Sequence, residues 1–179
     1  KRISAIVPVH IWGNAVWLDE LAPLCREYNI SVVEDASESL GTFYIKGLFE
    51  GKHTGTIGEL GCLSFNGNKI ITSGGGGMIL TDNLKIANRA KYLTTQAKDD
   101  FGEYIHQEIG YNYRLTNLQA ALGCAQVEQV RSHVDSKRTI AKAYQERLKS
   151  VPGLTTMPEA PWAQSVFWLY TVLVNSPQY

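Results

Sequence analysis

The sequence has little of what would set it apart from ordinary globular chains, and each shortage excludes something. It holds only three cysteines, Cys25, Cys62 and Cys124, far apart and without any CxxC or Cys/His spacing. That excludes a disulfide scaffold and a metal-binding cysteine cluster, and predicts reduced core thiols of an intracellular protein. No apolar run approaches the roughly 20 residues of a membrane-spanning helix. Net charge is absent, since 17 Lys and Arg balance 17 Asp and Glu. No basic run is long, so neither a nucleic acid nor a membrane is predicted as a partner. No internal repeat occurs. What remains is a chain of 179 residues, 44% apolar and 19% charged, enough for one good core. Its opening, Lys1 to Val7, runs straight into a strand pattern without signal-peptide architecture. The last residues come after a strand-like run, so the chain reads as a segment of a longer, cytoplasmic protein.

The periodicities place elements in order. Ala5 to His10 reads as a buried strand ended near Pro8, because proline cannot donate within a ladder. A helix is predicted from Asn14, with Trp17, Leu21, Leu24, Cys25 and Tyr28 as its apolar stripe and Asn29 stopping it. Ser31 to Val33 makes a second strand ending in Glu34 and Asp35. Strand, helix and strand in about thirty residues is a βαβ unit, hence a parallel sheet. Residues 41–61 are glycine-rich and irregular, with Thr42-Phe43-Tyr44 as a short strand. Leu60 to Phe65 is a strand, and Gly77 to Thr81 is another, antiparallel to its neighbour. Asp82 is placed to cap a helix over 83–93, and 96–107 is a polar surface loop. Leu118, Ala121, Leu122 and Ala125 predict a tightly packed helix, and 135–149 a second that turns Ile140, Tyr144 and Leu148 inward. Val151-Pro152-Gly153 ends it. Pro158 to Pro161 reads as a linker and Ser165 to Val174 as an apolar strand.

Chemistry concentrates at Ser64-Phe65-Asn66-Gly67-Asn68-Lys69, followed by Ile70-Ile71-Thr72-Ser73 and four glycines, Gly74 to Gly77. Most lysines are simply solvated. This one has apolar neighbours that partly strip its amine of water, favouring the neutral nucleophile. A lysine amine alone among side chains forms a Schiff base with a carbonyl compound or with pyridoxal phosphate. A phosphate-binding loop is excluded, because Asn68 follows Gly67 and Ile70-Ile71 follow the lysine where G-K-[ST] is required. Asp35 falls at a strand end, where ligands bind in parallel sheets. It suits a turn cap and equally the acidic partner of a protonated pyridine nitrogen. Glu38, three residues on, can face the same pocket, and the Ser64 hydroxyl can donate to a phosphate.

Four stretches then occur in a telling order: Pro8-Val9-His10-Ile11-Trp12-Gly13; Val33-Glu34-Asp35-Ala36-Ser37-Glu38-Ser39-Leu40-Gly41; Ser64 to Lys69; and Gly110-Tyr111-Asn112-Tyr113-Arg114-Leu115-Thr116-Asn117-Leu118-Gln119-Ala120-Ala121. Together they resemble the DegT/StrS sugar-nucleotide aminotransferases, pyridoxal-phosphate enzymes of fold type I. The resemblance implies an α/β fold: a three-layer α/β/α large domain with a mostly parallel sheet over residues 1–150, lacking its N-terminal portion, and the start of a small C-terminal α+β domain over 151–179. It implies pyridoxal 5′-phosphate bound by Asp35 at the pyridinium, Ser64 at the phosphate, and Glu38. Lys69 would bond covalently to the cofactor and move the proton. Asn112 would reach the phosphate of a neighbouring subunit's cofactor in a homodimer. Arg114 would meet an anionic substrate or phosphate, or equally form an ion pair at a helix start.

The implied reaction passes an amine from L-glutamate to a nucleotide-linked 4-keto-6-deoxy sugar for polysaccharide or glycan biosynthesis. A non-catalytic pyridoxal-phosphate-binding regulator or scaffold of the same fold is the alternative. Glu38 departs from the glutamine or histidine of many relatives. Glu38-Ser39-Leu40-Gly41 with Asn66-Gly67-Asn68 is most similar to the branch making 4-amino-4,6-dideoxy-N-acetylhexosamine nucleotides. A sister branch that dehydrates sugars has histidine at the lysine position, so Lys69 favours the aminotransferase.

Overall fold

The computed structural model describes residues 3–100 and 102–175. Its centre is a four-stranded sheet in the order β1-β2-β4-β5. Strands β1 (Ala5–Ile6), β2 (Ser31–Asp35) and β4 (Leu60–Ser64) are parallel, and β5 (Gly77–Leu80) closes antiparallel on β4. The expected α/β architecture and mostly parallel sheet are present. β3 (Phe43–Tyr44) pairs instead with β7 (Ala163–Gln164), and β6 (Leu154–Thr156) with β8 (Val172–Val174), both antiparallel.

Helix α1 runs Leu18–Glu27, later than the predicted start at Asn14. The reason is that Asn14 is engaged elsewhere: its side-chain amide donates to Pro158 O (3.0 Å) and its oxygen accepts from Ala160 N (2.9 Å). The helix is also rotated from the predicted stripe. Leu18, Ala22 and Cys25 are buried, while Leu24 and Tyr28 are exposed. Asn29, with φ 51°, ends the helix in the left-handed conformation that asparagine tolerates, as expected. Helix α2 (Leu84–Thr94) is capped by Asn83, whose side chain accepts from Lys85 N and Ile86 N, and not by Asp82.

Helix α3 (Asn117–Val127) is set by a Thr116–Gln119 capping box, but it has no buried residue; Leu118 is 85% exposed. Tight packing of this helix was the expectation, and the described residues provide no such neighbour. Helix α4 (Val130–Leu148) begins earlier than predicted and buries Ala141, with Val130 and Val134 packed on the core, whereas Ile140 and Tyr144 are exposed. Cys124 is likewise exposed, against the prediction of three core thiols; Cys25 is buried and Cys62 half-buried.

The largest departure lies near the end. Ser165 to Val174 is not one strand: residues 165–168 are irregular and wholly buried, and only Val172–Val174 is β-structure. Phe167 takes φ 48° and the chain threads inward, so that Val166 and Trp168 pack with Phe65, Ile70 and Ile71. In residues 158–161, expected as a linker, Pro158 O and Ala160 N are tied to Asn14 and Ala160 is buried, while Pro158, Glu159 and Pro161 are exposed.

One buried charge organises the sheet's carboxyl end. Glu34 has no exposed surface. It accepts from His10 Nε2 (2.9 Å), Gly55 N (2.8 Å), Ile57 N (2.6 Å) and Gly58 N (2.7 Å). Val16 N–H donates to His10 Nδ1 (3.1 Å), so Nδ1 is the acceptor and Nε2 carries the proton given to Glu34. Burial pushes the Glu34 carboxyl up, but the bonds from His10, Gly58, Gly55 and Ile57 outweigh it and hold it below the ordinary 4.5. Burial pushes the nearby His53 imidazole below its ordinary 6.5, against the opposing bond to Thr54.

Glu34→Ala would strand four donors and should destabilise the protein by about 3–5 kcal/mol, read from the urea midpoint. Both shifts also predict acid sensitivity. A depressed group binds its proton more readily when unfolded, so its stabilisation is present above the unfolded value and lost as pH falls. Stability should therefore decline as pH drops below 6.5 (His53) and again below 4.5 (Glu34). Urea midpoints that rise on acidification would contradict this.

Candidate active site

Parallel pairing of β2 with β4 brings two of the predicted residues, Asp35 and Ser64, to one end of the sheet. Asp35 lies opposite Cys62, two residues before Ser64, and residues two apart share a face of a strand. The charge reaches across: Cys62 is raised by burial first and by the Asp35 carboxylate second. Asp35 is half-buried, and its Oδ1 accepts from Ser37 N (3.1 Å), so the turn-capping role is real. Its Oδ2 accepts no hydrogen bond from any described residue. Ser64 Oγ accepts from Asn66 N (3.3 Å), and its own proton goes to no described residue.

The chain leaves β4 through a closed loop. Phe65 N donates to Gly76 O (3.0 Å), and Ser73 N and Thr72 Oγ1 donate back to Phe65 O (3.1 and 3.0 Å). Inside it Asn66–Lys69 forms a turn with Lys69 N donating to Asn66 O (3.1 Å), and the buried side chains of Ile70 and Ile71 anchor the chain just beyond the lysine. Lys69 is therefore carried on a fixed backbone. Gly76 needs φ 84°, and a Cβ on Gly77 would lie 2.4 Å from Leu63 O. The glycines make a close passage back into β5.

Only 13% of the Lys69 side chain is exposed. Its Nζ lies 3.8 Å from Glu38 Oε1 and 3.9 Å from the Trp168 ring centroid. Glu38 is held in turn by Trp12 N–H, which donates to Oε2 at 2.7 Å from a backbone turned to φ 56°. Trp12 and Trp168 were not singled out as site residues. The signal for Trp12 was a motif position without a side-chain role, and for Trp168 there was none, since its part depends on a fold-back across 100 residues.

Asn112 and Arg114 are both exposed and touch each other, Arg114 Nε donating to Asn112 Oδ1 at 3.3 Å. Asn112 bridges to Thr95. No hydrogen bond joins either residue to Lys69, Asp35 or Ser64 among the described residues. Arg114 does line a cavity of about 810 Å³ that is also bounded by Gly76 and Gly77 of the lysine loop.

A buried-edge lysine, a carboxylate oxygen awaiting a donor and a free hydroxyl suit a cofactor with an aldehyde, a ring nitrogen and a phosphate. The model for the DegT/DnrJ/EryC1/StrS aminotransferase family matches residues 1–178. This chain belongs to that family. It is 41% identical over 173 residues to EpsN of Bacillus subtilis (strain 168), whose name places it among pyridoxal phosphate-dependent aminotransferases; the match covers 97% of this chain and 43% of EpsN. It is 38% identical over 172 residues to a GDP-perosamine synthase of Caulobacter vibrioides, covering 96% and 45%. Among solved structures, Helicobacter pylori PseC, an aminotransferase involved in the biosynthesis of pseudoaminic acid, superposes with a TM-score of 0.86 at 28% identity, covering 96% and 45%. The chain thus spans less than half the length of these relatives. Its fold is that of the family's fold-type I aminotransferases. The cofactor of the family, pyridoxal 5′-phosphate, fits the donor set: Lys69 for the aldehyde, the open Asp35 oxygen for the ring N–H, Ser64 for the phosphate. Among the described residues no helix is long and apolar enough to cross a membrane.

Gly77→Ala should force the β4–β5 passage apart. The expected cost is about 1–3 kcal/mol, checked as a lowered melting temperature. An unchanged melting temperature would show that the close approach to Leu63 O is not constraining.

Proposed function

We propose that the whole protein, of which this chain carries the lysine-bearing part, transfers an amino group from L-glutamate to a nucleotide-linked 4-keto-6-deoxy sugar. The observation that carries this reading is Lys69 held at 13% exposure on a fixed loop at the sheet end that also presents Asp35. When bound, pyridoxal 5′-phosphate supplies the carbonyl that takes up and hands on the amine, and the ring that withdraws electrons. Lys69 anchors the cofactor and then moves a proton through its amine at Nζ. Asp35 Oδ2 accepts from the ring nitrogen and keeps it charged, in a half-buried place where that charge pair is worth more than in water. Ser64 donates its unused proton to the phosphate. Glu38 lies beside the lysine, where it touches the cofactor or the amine.

The name of the Caulobacter relative, GDP-perosamine synthase, supports a nucleotide sugar as acceptor. Asn112 completing the phosphate site of a partner subunit, and Arg114 meeting an anionic group of the substrate, are parts of the same proposal. So are a cytoplasmic homodimer and a division at residue 150 between a large domain and the start of a small one.

The test is pyridoxal phosphate binding followed by borohydride reduction and peptide mapping of the full-length protein. Lys69 should carry the label stoichiometrically, and Lys69→Ala should abolish it and lower turnover by at least about 10²-fold. Asp35→Asn should keep the label and lower turnover by about 10²-fold. Glutamate should convert the bound cofactor to its amine form in a single turnover; binding without conversion would overturn the reading in favour of a regulator.

A further inference from the structure

We infer that Trp168 and Glu38 form a holding site for the free Lys69 ammonium, a second resting place to which the amine returns whenever it is not covalently engaged. The inference rests on the covalent role proposed for Lys69. The ammonium lies between a ring face at 3.9 Å and a carboxylate oxygen at 3.8 Å. Both groups attract a cation: the ring through its negative face, the carboxylate through its charge. Glu38 is partly exposed, at 23%, and the ring is almost fully buried, so solvent weakens the carboxylate contact more than the ring contact.

The platform is built independently of the lysine. Trp168 packs with Phe65, Ile70, Ile71 and Val166. Its indole N–H donates to Asn68 O (2.7 Å), and its carbonyl accepts from Lys137 Nζ (3.1 Å). Those contacts fix both the height and the tilt of the ring, and one of them ties it to the residue next to Lys69. Glu38 is likewise fixed, by Trp12 N–H. Two rigid groups aimed at one amine differ from a long side chain lying across whatever surface is near.

The chemistry gives the site a purpose. An ammonium and an aldehyde condense to a protonated carbon–nitrogen double bond and one water, with no net proton change. The nitrogen then presents one hydrogen in place of three and carries a bulky substituent, so it leaves the ring and the carboxylate. Exchange with an incoming amine that arrives as its ammonium returns lysine as the ammonium, the proton passing from one nitrogen to the other, and the ammonium docks again. The holding site therefore stabilises the released lysine and keeps it within reach for the next transfer. Trp168 is a positioning residue, acting through Lys69.

Trace acylation of the cofactor-free, full-length protein with acetic anhydride reads this directly, with the other lysines as internal reference. Loss of the ring or the carboxylate should raise the relative reactivity of Lys69 by about 3- to 10-fold. The expected order is Trp168→Leu above Trp168→Phe above the unaltered protein, because phenylalanine keeps a ring but not the indole N–H. Glu38→Gln should raise it without altering the core. A packing role alone would leave the Lys69 ratio unchanged in Glu38→Gln, and that result overturns the inference. If Trp168→Leu unfolds, the sheltered Lys69 rises to the level of the lysines that are already exposed, and Glu38→Gln decides. Failure of pyridoxal phosphate and borohydride to label Lys69 in the unaltered protein would instead sink the covalent role, since the acylation ratios need no cofactor.

Discussion

Glu34 carries a negative charge into a place without exposed surface, and the segments around the site are arranged so that the charge stays satisfied. An isolated buried carboxylate costs several kcal/mol, and the cost is met only when every strong acceptor direction has a donor. Three of those donors come from the backbone at residues 55–58 and one from His10. The requirement therefore fixes the loop before β4 against β2, and fixes residues 8–16 through the ring that answers to Val16. Asp35, the next residue along β2, is tied to residues 8–10 by two backbone bonds, its N–H donating to Pro8 O and its carbonyl accepting from His10 N. A fully buried carboxylate and a half-buried one thus alternate on the two faces of one strand.

The second constraint is geometric. β5 must turn back directly beside β4 while the loop between them carries Lys69 out and returns. Only glycine lets Gly77 lie under Leu63 O, and the left-handed turn at Gly76 lets Leu115 pack across the exit. A loop closed by three hydrogen bonds to or from Phe65 holds an otherwise mobile type of side chain at a stated height above the sheet. Fixed loops of this kind are how a reactive amine is kept within the fraction of an ångström that transfer requires.

Much of this was legible in the sequence, and the exceptions share a cause. The parallel β1–β2 start, the antiparallel β5 and the closeness of Glu38 to the lysine segment stem from local pattern and from motif order. What escaped was set by distant contacts. The start of α1 moved because Asn14 is bound to residues 158–160, and the stripe rotated with it. Residues 165–168 look like a strand because buried strands and buried irregular segments are equally apolar. Helix α3 was expected to pack because it is apolar, yet composition cannot say which neighbour a face is meant for, and none of the described residues covers it.

The span of the contacts around Trp168 has a consequence for how the protein is made. The indole bond to Asn68 closes a loop of 100 residues, and the Ser165 bond to Gly13 one of 152. Such contacts form late, because the chain must be ordered over its whole length before they reward the ordering. Synthesis proceeds from the N-terminus, so β1, β2, β4 and the lysine loop emerge long before the ring that belongs over Lys69. During that interval the amine faces an open surface. Lys69 gains its surroundings only once Trp168 has left the ribosome, and until then the nascent chain carries its amine without the ring that later covers it.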